Sequence, residues 1–242
     1  MVMRLFSREA ELAKLKSWIE ARRSFLFHGP AGVGKTRLLD ELSSPLLLRV
    51  SGCTTAQGFF QTISGILWKG GHPDFRRRYK TEGQRRTDSA ANMKALCLSA
   101  LRNAPNTLVL EHVGFSSQPL AASVKQLVNG TSLALIVAAR SPHMEETGYL
   151  LRCFPDRSQR FELMNFDSGQ AREFARLASD EAGLDAENRA LFLDQVAELS
   201  QGNPGAILSM VQMARAPRYR SGNWIKCAPL YIDFRLARNA SV

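Results

Sequence analysis

The sequence lacks any apolar run approaching the roughly 20 residues that a bilayer-spanning helix needs, so no membrane partner is expected. Its opening, MVMRLFSREAELAKL, has no apolar stretch of the secretory-signal kind before the first acidic residues. Cysteine is scarce. Cys53, Cys97, Cys153 and Cys227 lie far apart, with no CxxC pair and no Cys/His cluster, which argues against a zinc site and a disulfide framework. These absences set the expectation of a cytoplasmic protein with isolated buried thiols. Acid is also short: 22 Asp and Glu face 32 Lys and Arg, a net charge of +10 over 242 residues. An apolar share of 45% excludes disorder as the main state. The basic excess permits nucleic acid, an acidic membrane surface or a polyphosphate ligand, and does not choose among them.

Short apolar runs alternate with helical periodicity. Leu12, Leu15 and Trp18 or Ile19 predict an amphipathic helix over 8–21, followed by a buried strand at 24–28. A Gly-rich turn leads to a helix at 35–42, then a strand at 46–50 and helices at 55–68 and 88–102. Between the last two lies a polar, basic stretch, 69–86, with Gly70, Gly71 and Pro73 as breakers. Pro105-Asn106 introduces a strand at 107–110; a helix at 118–128, a strand at 133–139 and a weaker strand at 160–166 follow. Such alternation predicts an α/β fold with a parallel sheet covered on both faces. After Asp167 the pattern is helical only. The expected division is an α/β core at 1–166, a helical lid at 167–216 and a tail at 217–242. Residues 230–236 alternate well enough to add an edge strand.

The strongest pattern is Gly29-Pro30-Ala31-Gly32-Val33-Gly34-Lys35-Thr36, which satisfies G-x-x-x-x-G-K-[ST] between a strand and a helix. Glycines let the backbone wrap a phosphate with its N–H groups exposed, and a helix N-terminus adds partial positive charge. Lys35 is the candidate for the β- and γ-phosphates and Thr36 for Mg²⁺, with Arg37 next in the nucleotide-binding set. Such a loop needs a second carboxylate on a neighbouring strand end. Leu108-Val109-Leu110-Glu111-His112 supplies Glu111 as the second Mg²⁺ candidate. His112 stands where a catalytic acid is usual. A general base contributes roughly 10²–10⁴-fold, and neutral imidazole lacks the negative charge, so ATP binding with slow hydrolysis is expected.

Several motifs carry a family resemblance. Leu5-Phe6-Ser7-Arg8-Glu9-Ala10-Glu11-Leu12 is similar to the hhGRExE motif, with Ser7 in place of Gly. Leu108 to Glu111 resembles a Walker B strand with Glu for Asp. Ala138-Ala139-Arg140-Ser141 resembles a sensor-1 strand end, and Gly202-Asn203-Pro204-Gly205 resembles a GxP lid element. Together with the phosphate loop, a Walker A motif, they resemble P-loop NTPases of the ASCE class, of the AAA+ and STAND kinds. The resemblance implies a three-layer sandwich with strand order 5-1-4-3-2 and a helical lid, with ATP or ADP between them. It places Arg8 and Pro204 near the base and gives Arg140 the γ-phosphate.

The whole excess of charge falls in two segments. Residues 69–86 and 213–242 each carry +5, and the remainder is neutral. Phe75 and Tyr79 interleave the first; Tyr219, Trp224, Tyr231 and Phe234 interleave the second. Basic and aromatic residues together suit the backbone and bases of DNA or RNA. The expected function is an ATPase acting as a nucleotide-dependent switch, with catalytic candidates Lys35, Glu111, His112 and Arg140. The alternatives are an ATP-regulated nucleic-acid-binding module and a nucleotide-dependent scaffold for a protein partner. A homo-oligomer, with an arginine from a neighbouring subunit, stays open.

Overall fold

Phe25–His28 and Ala134–Ala139 are buried at every residue, as strands covered on both faces must be. The computed structural model describes residues 5–42, 47–102 and 107–239, so Leu46 and the Pro105-Asn106 pair lie outside the described residues. In chain order the elements begin with α1 (Glu9–Glu20), β1 (Phe25–His28), α2 (Lys35–Glu41), β2 (Leu47–Ser51) and α3 (Ala56–Lys69). Then come α4 (Pro73–Arg78), α5 (Glu82–Thr87), α6 (Ala90–Leu101), β3 (Thr107–Glu111), α7 (Gln118–Asn129) and β4 (Ala134–Ala139). Next are α8 (Met144–Thr147), β5 (Arg160–Glu162), α9 (Ser168–Glu181), α10 (Arg189–Leu199) and α11 (Pro204–Met213). A short hairpin of β6 (Arg220–Ser221) and β7 (Trp224–Ile225) precedes α12 (Cys227–Asn239).

The chain forms two compact units. One comprises residues 11–29 and 39–162; the other comprises the described residues of 1–10, 30–38 and 163–242. The phosphate-loop segment thus groups with the late helices, although β1 precedes it in sequence.

In the first unit five parallel strands lie in the order β2-β3-β4-β1-β5, the expected order read from the other edge. Alternate residues of β2, β3 and β4, such as Val50, Leu110 and Val137, face α3, α6 and α7 through Ile63, Cys97 and Val124. On the other face Trp18 of α1 packs 5.0 Å from Phe25 and 5.6 Å from Phe161, ring centre to ring centre. The basic stretch 69–86 is not irregular: it holds α4, started by Pro73, and α5, started by a capping box of Thr81 and Gln84. The last strand is shorter than 160–166, stopping at Glu162.

In the second unit α9, α10 and α11 pack around Phe174, Phe192, Val196, Ile207 and Met210. Asp167 caps α9 reciprocally with Gln170. The edge strand expected at 230–236 is instead part of α12. Leu230 and Phe234, four residues apart, are buried in the helical core, so helical spacing overrides the alternation. The entry to α11 is tight. Gly202 has φ +71°, and its carbonyl accepts from Phe166 N at 2.9 Å. A Cβ there would sit 2.0 Å from the Phe166 carbonyl oxygen. Gly202→Ala is therefore expected to lower the unfolding free energy by at least ~2 kcal/mol. Urea denaturation monitored by circular dichroism measures this; an unchanged midpoint would show that the turn relaxes.

Candidate nucleotide site

The phosphate loop is built in the conformation its glycines permit. Gly32 has φ +81° and Gly34 φ +105°, where a side chain is strained. Val33 and Leu38 are buried and anchor the loop, while Pro30, Ala31 and Gly32 are exposed. Lys35 opens α2, and its Nζ donates to the Pro30 carbonyl at 3.0 Å, so its ammonium is held over the loop. Thr36 is exposed at the start of the same helix.

The loop is clasped by the first turn of α11. Gly205 N donates to Gly32 O at 2.9 Å. A Cβ on Gly205 would lie 2.9 Å from Gly32 Cα, and one on Gly32 would lie 2.7 Å from Asn203 Oδ1. Both positions therefore require glycine. Asn203, itself buried, uses both ends of its amide. Nδ2 donates to Ala31 O at 2.9 Å and Asn165 Oδ1 at 3.2 Å, while Oδ1 accepts from Ala206 N at 3.1 Å and caps α11. Pro204 is buried at the first helical position.

A cavity of about 450 Å³ opens beside the loop, within the size range of small-ligand sites. Gly32, Val33, Gly34 and Arg37 line one side, and Phe6, Arg8, Phe166, Phe174 and Pro204 line much of the rest. Arg8 is buried; its Nη2 donates to Met164 O at 2.6 Å, and its guanidinium lies 4.5 Å from the Phe166 ring centre. Ser7, where the resembled motif has Gly, keeps a left-handed backbone (φ 53°), and its Oγ accepts from Gln170 Nε2 at 2.9 Å. The structure thus gathers Arg8, Arg37, Pro204 and the loop around one cavity. The Phe6–Phe166–Phe174 cluster and the role of Asn203 escaped sequence reasoning. Phenylalanines distant in sequence give no local signal that they share a wall.

Glu111, His112 and Arg140 belong to the sheet unit, at the C-terminal ends of the neighbouring strands β3 and β4. Glu111 is buried and its carboxylate accepts from Arg49 Nε; Arg49 Nη1 also donates to Asp40. The Glu111 hydrogen bond, with Asp40 adding to it, holds the Arg49 guanidinium protonated beyond its ordinary range. Arg49 was not singled out from sequence, though one basic residue inside Leu47-Leu48-Arg49-Val50 was a signal of a buried carboxylate nearby. His112 is exposed and left-handed (φ 51°), so it is not packed beneath the sheet edge. Arg140 is exposed.

The basic segments are less suited to stacking than their composition suggests. Phe75, Tyr79, Tyr219 and Phe234 are buried, and Tyr231 is half-buried; Trp224 is exposed. Burial together with a hydrogen bond to Asp88 raises the Tyr79 phenol to about 12, so it stays a neutral donor. Arg220 is engaged with the Ala214 and Asp185 carbonyls.

Removing the Asn203 amide breaks a helix cap and the link to Ala31 together. Asn203→Ala is expected to cost about 1–2 kcal/mol of unfolding free energy, measurable by thermal or urea denaturation. A cost near zero would show that α11 and the loop are held by Gly32 and Gly205 alone.

No protein-family model matches the sequence, and no curated protein does. Solved structures are similar to it. A Walker-type ATPase of Pyrococcus abyssi aligns over 98% of this chain and 74% of its own, at 15% identity and a TM-score of 0.65. The Orc1 protein of Aeropyrum pernix, solved in complex with DNA, aligns over 96% and 65%, at 17% identity and a TM-score of 0.59. Cdc6p from Pyrobaculum aerophilum aligns over 88% and 62%, at 15% identity and a TM-score of 0.57. The chain thus spans about two thirds of the length of the last two. The strand order and this likeness establish the fold: the P-loop α/β fold of Walker-type ATPases.

Proposed function

We propose that the chain is an ATP-binding P-loop ATPase that works as a nucleotide-dependent conformational switch. The observation that carries this reading is the clasp on the loop. Ala31 and Gly32 are hydrogen-bonded to Asn203 and Gly205, so a phosphate that reshapes the loop also pulls on α11. In this reading the loop backbone around Gly32 and Gly34 holds the phosphates. Lys35 leaves the Pro30 carbonyl to meet the β- and γ-phosphate oxygens, a stronger acceptor for an ammonium. The cavity walled by Phe6, Arg8 and Pro204 takes the base.

The residues fit Mg²⁺ only in part. The Thr36 hydroxyl is exposed and suited to it, whereas the Glu111 carboxylate is already engaged by Arg49. When bound, Mg²⁺ would neutralise phosphate charge; Thr36 would hold it, and Glu111 would join only by giving up Arg49. Arg140, exposed after β4, is assigned to sense the γ-phosphate. His112 is exposed, and an imidazole is a poor substitute for a carboxylate base because it lacks the negative charge.

A second reading, an ATP-regulated nucleic-acid-binding module, is supported by Arg76, Arg77 and Arg78, all exposed on α4. With Phe75 and Tyr79 buried, contact there would be with the phosphate backbone rather than with bases.

Calorimetric titration with ATP tests the main reading. The wild-type chain is expected to bind, and Lys35→Ala to weaken binding by ~10-fold or more. Equal affinity in the two, or binding by neither, would refute it. His112→Glu is expected to raise the turnover rate by ~10-fold or more; an unchanged rate would place water activation elsewhere.

A further inference from the structure

Residues 51–86 of the sheet unit enclose a second, open cleft of about 660 Å³ that shares no residue with the phosphate loop. Its lining is polar. Ser51, Thr54, Thr55 and Thr62 bring hydroxyls, and Ile66 is the one large apolar side chain among the lining residues. Nothing there offers a surface for a base or another flat apolar ring. Thr55 caps the 14-residue helix α3, accepting from Gly58 N at 3.0 Å.

The charge in the cleft is unbalanced. Lys69, Arg85 and Arg86 line it against the single carboxylate of Glu82. Arg85 is buried, lying against Gly65, where a Cβ would come 3.4 Å from the guanidinium carbon and both terminal nitrogens. Its Nη1 donates to Gln61 O at 2.8 Å and Ser64 Oγ at 2.9 Å. Its Nε has no hydrogen-bond partner among the described residues. The carboxylate that meets it, Glu82, lies 3.5 Å from Nη2 and is shared with Arg86, which holds it more closely at 2.9 Å. The hydrogen bond and charge of Arg86, and then the charges of Lys69 and Arg85, hold the Glu82 carboxyl below its ordinary range. A buried guanidinium is costly without adequate countercharge. Here it is under-neutralised at the wall of a polar, hydroxyl-lined cleft.

We propose that this cleft is a second phosphate-binding site, in which Lys69, Arg85 and Arg86 and the hydroxyls of the α3 entry hold a phosphate group. The chemistry admits two sources, a free oligophosphate or a phosphate of a nucleic-acid strand. It stands independently of the nucleotide reading of the loop.

The 242-residue chain carrying Lys35→Ala lacks the main phosphate contact of the loop, and the double variant Lys69→Glu/Arg86→Glu is compared in that background. Both residues are exposed, so folding is expected to survive, with circular dichroism as the check. The probes are inorganic tripolyphosphate, followed by calorimetry, and a short single-stranded oligonucleotide without terminal phosphates, followed by anisotropy across a salt series. Charge reversal is expected to weaken tripolyphosphate by ~10-fold or more if the ligand is a free oligophosphate. If it is a strand, oligonucleotide binding weakens and its log–log salt slope becomes shallower by about 0.7 per lost contact. Lys125→Glu, exposed on α7 and outside both the cleft and the α4 arginines, is the control and is expected to change the probe in question by less than ~2-fold. Unchanged binding of both probes, no binding of either in the Lys35→Ala background, or equal losses with Lys125→Glu would overturn the proposal. ATP binding in an otherwise wild-type chain reports separately on the phosphate loop.

Discussion

Gly32 and Gly205 touch backbone to backbone, and the arrangement around the cavity depends on that contact. It works only because neither residue has a side chain: a Cβ on Gly205 would lie 2.9 Å from the Cα of Gly32. With the two chains this close, Gly205 N reaches Gly32 O, and Asn203 reaches Ala31 while capping α11. An unfilled donor at a helix start is normally satisfied by a cap or by water. Here the phosphate loop itself takes one of those donors, so the loop's shape and the position of α11 are a single structural variable. That is the physical basis for reading the chain as a switch rather than as a rigid binding cradle.

Arginine is used in three distinct ways. Arg8 is buried against Phe166 and tied to a backbone carbonyl, so it shapes a cavity wall. Arg49 neutralises Glu111 across the β2–β3 pair, where the strands run in register from Leu47 and Thr107 to Ser51 and Glu111. Arg85 sits on Gly65 with too little negative charge around it. The net charge of +10 is therefore no uniform coat. Part of it is consumed inside the structure, and the exposed remainder includes Arg76, Arg77 and Arg78 on α4.

Much of this was legible in order along the chain. The phosphate loop and the alternation of strands and helices rest on local patterns: glycine spacing, apolar runs and caps. The strand order was implied by the family resemblance alone. The short helices α4 and α5 were missed because Gly and Pro read as breakers, although Pro73 and Thr81 start helices. Residues 230–236 misled because Leu-Tyr-Ile-Asp-Phe-Arg-Leu satisfies two periods at once, and only the helical core covering Leu230 and Phe234 chooses between them.

The sequence by itself determined which residues can wrap a phosphate, because that depends on glycine's access to positive φ and on a lysine at a helix start, both local properties. It determined the parallel sheet for the same reason, since a strand apolar on both faces needs cover on both. Tertiary structure alone decided what each charged or aromatic side chain meets. Glu111 meets Arg49, Arg8 meets Phe166, and Phe75 and Tyr79 turn inward instead of toward a ligand. Those pairings join residues as many as 158 positions apart, as for Arg8 and Phe166, and no local period encodes a contact set by how separate elements pack.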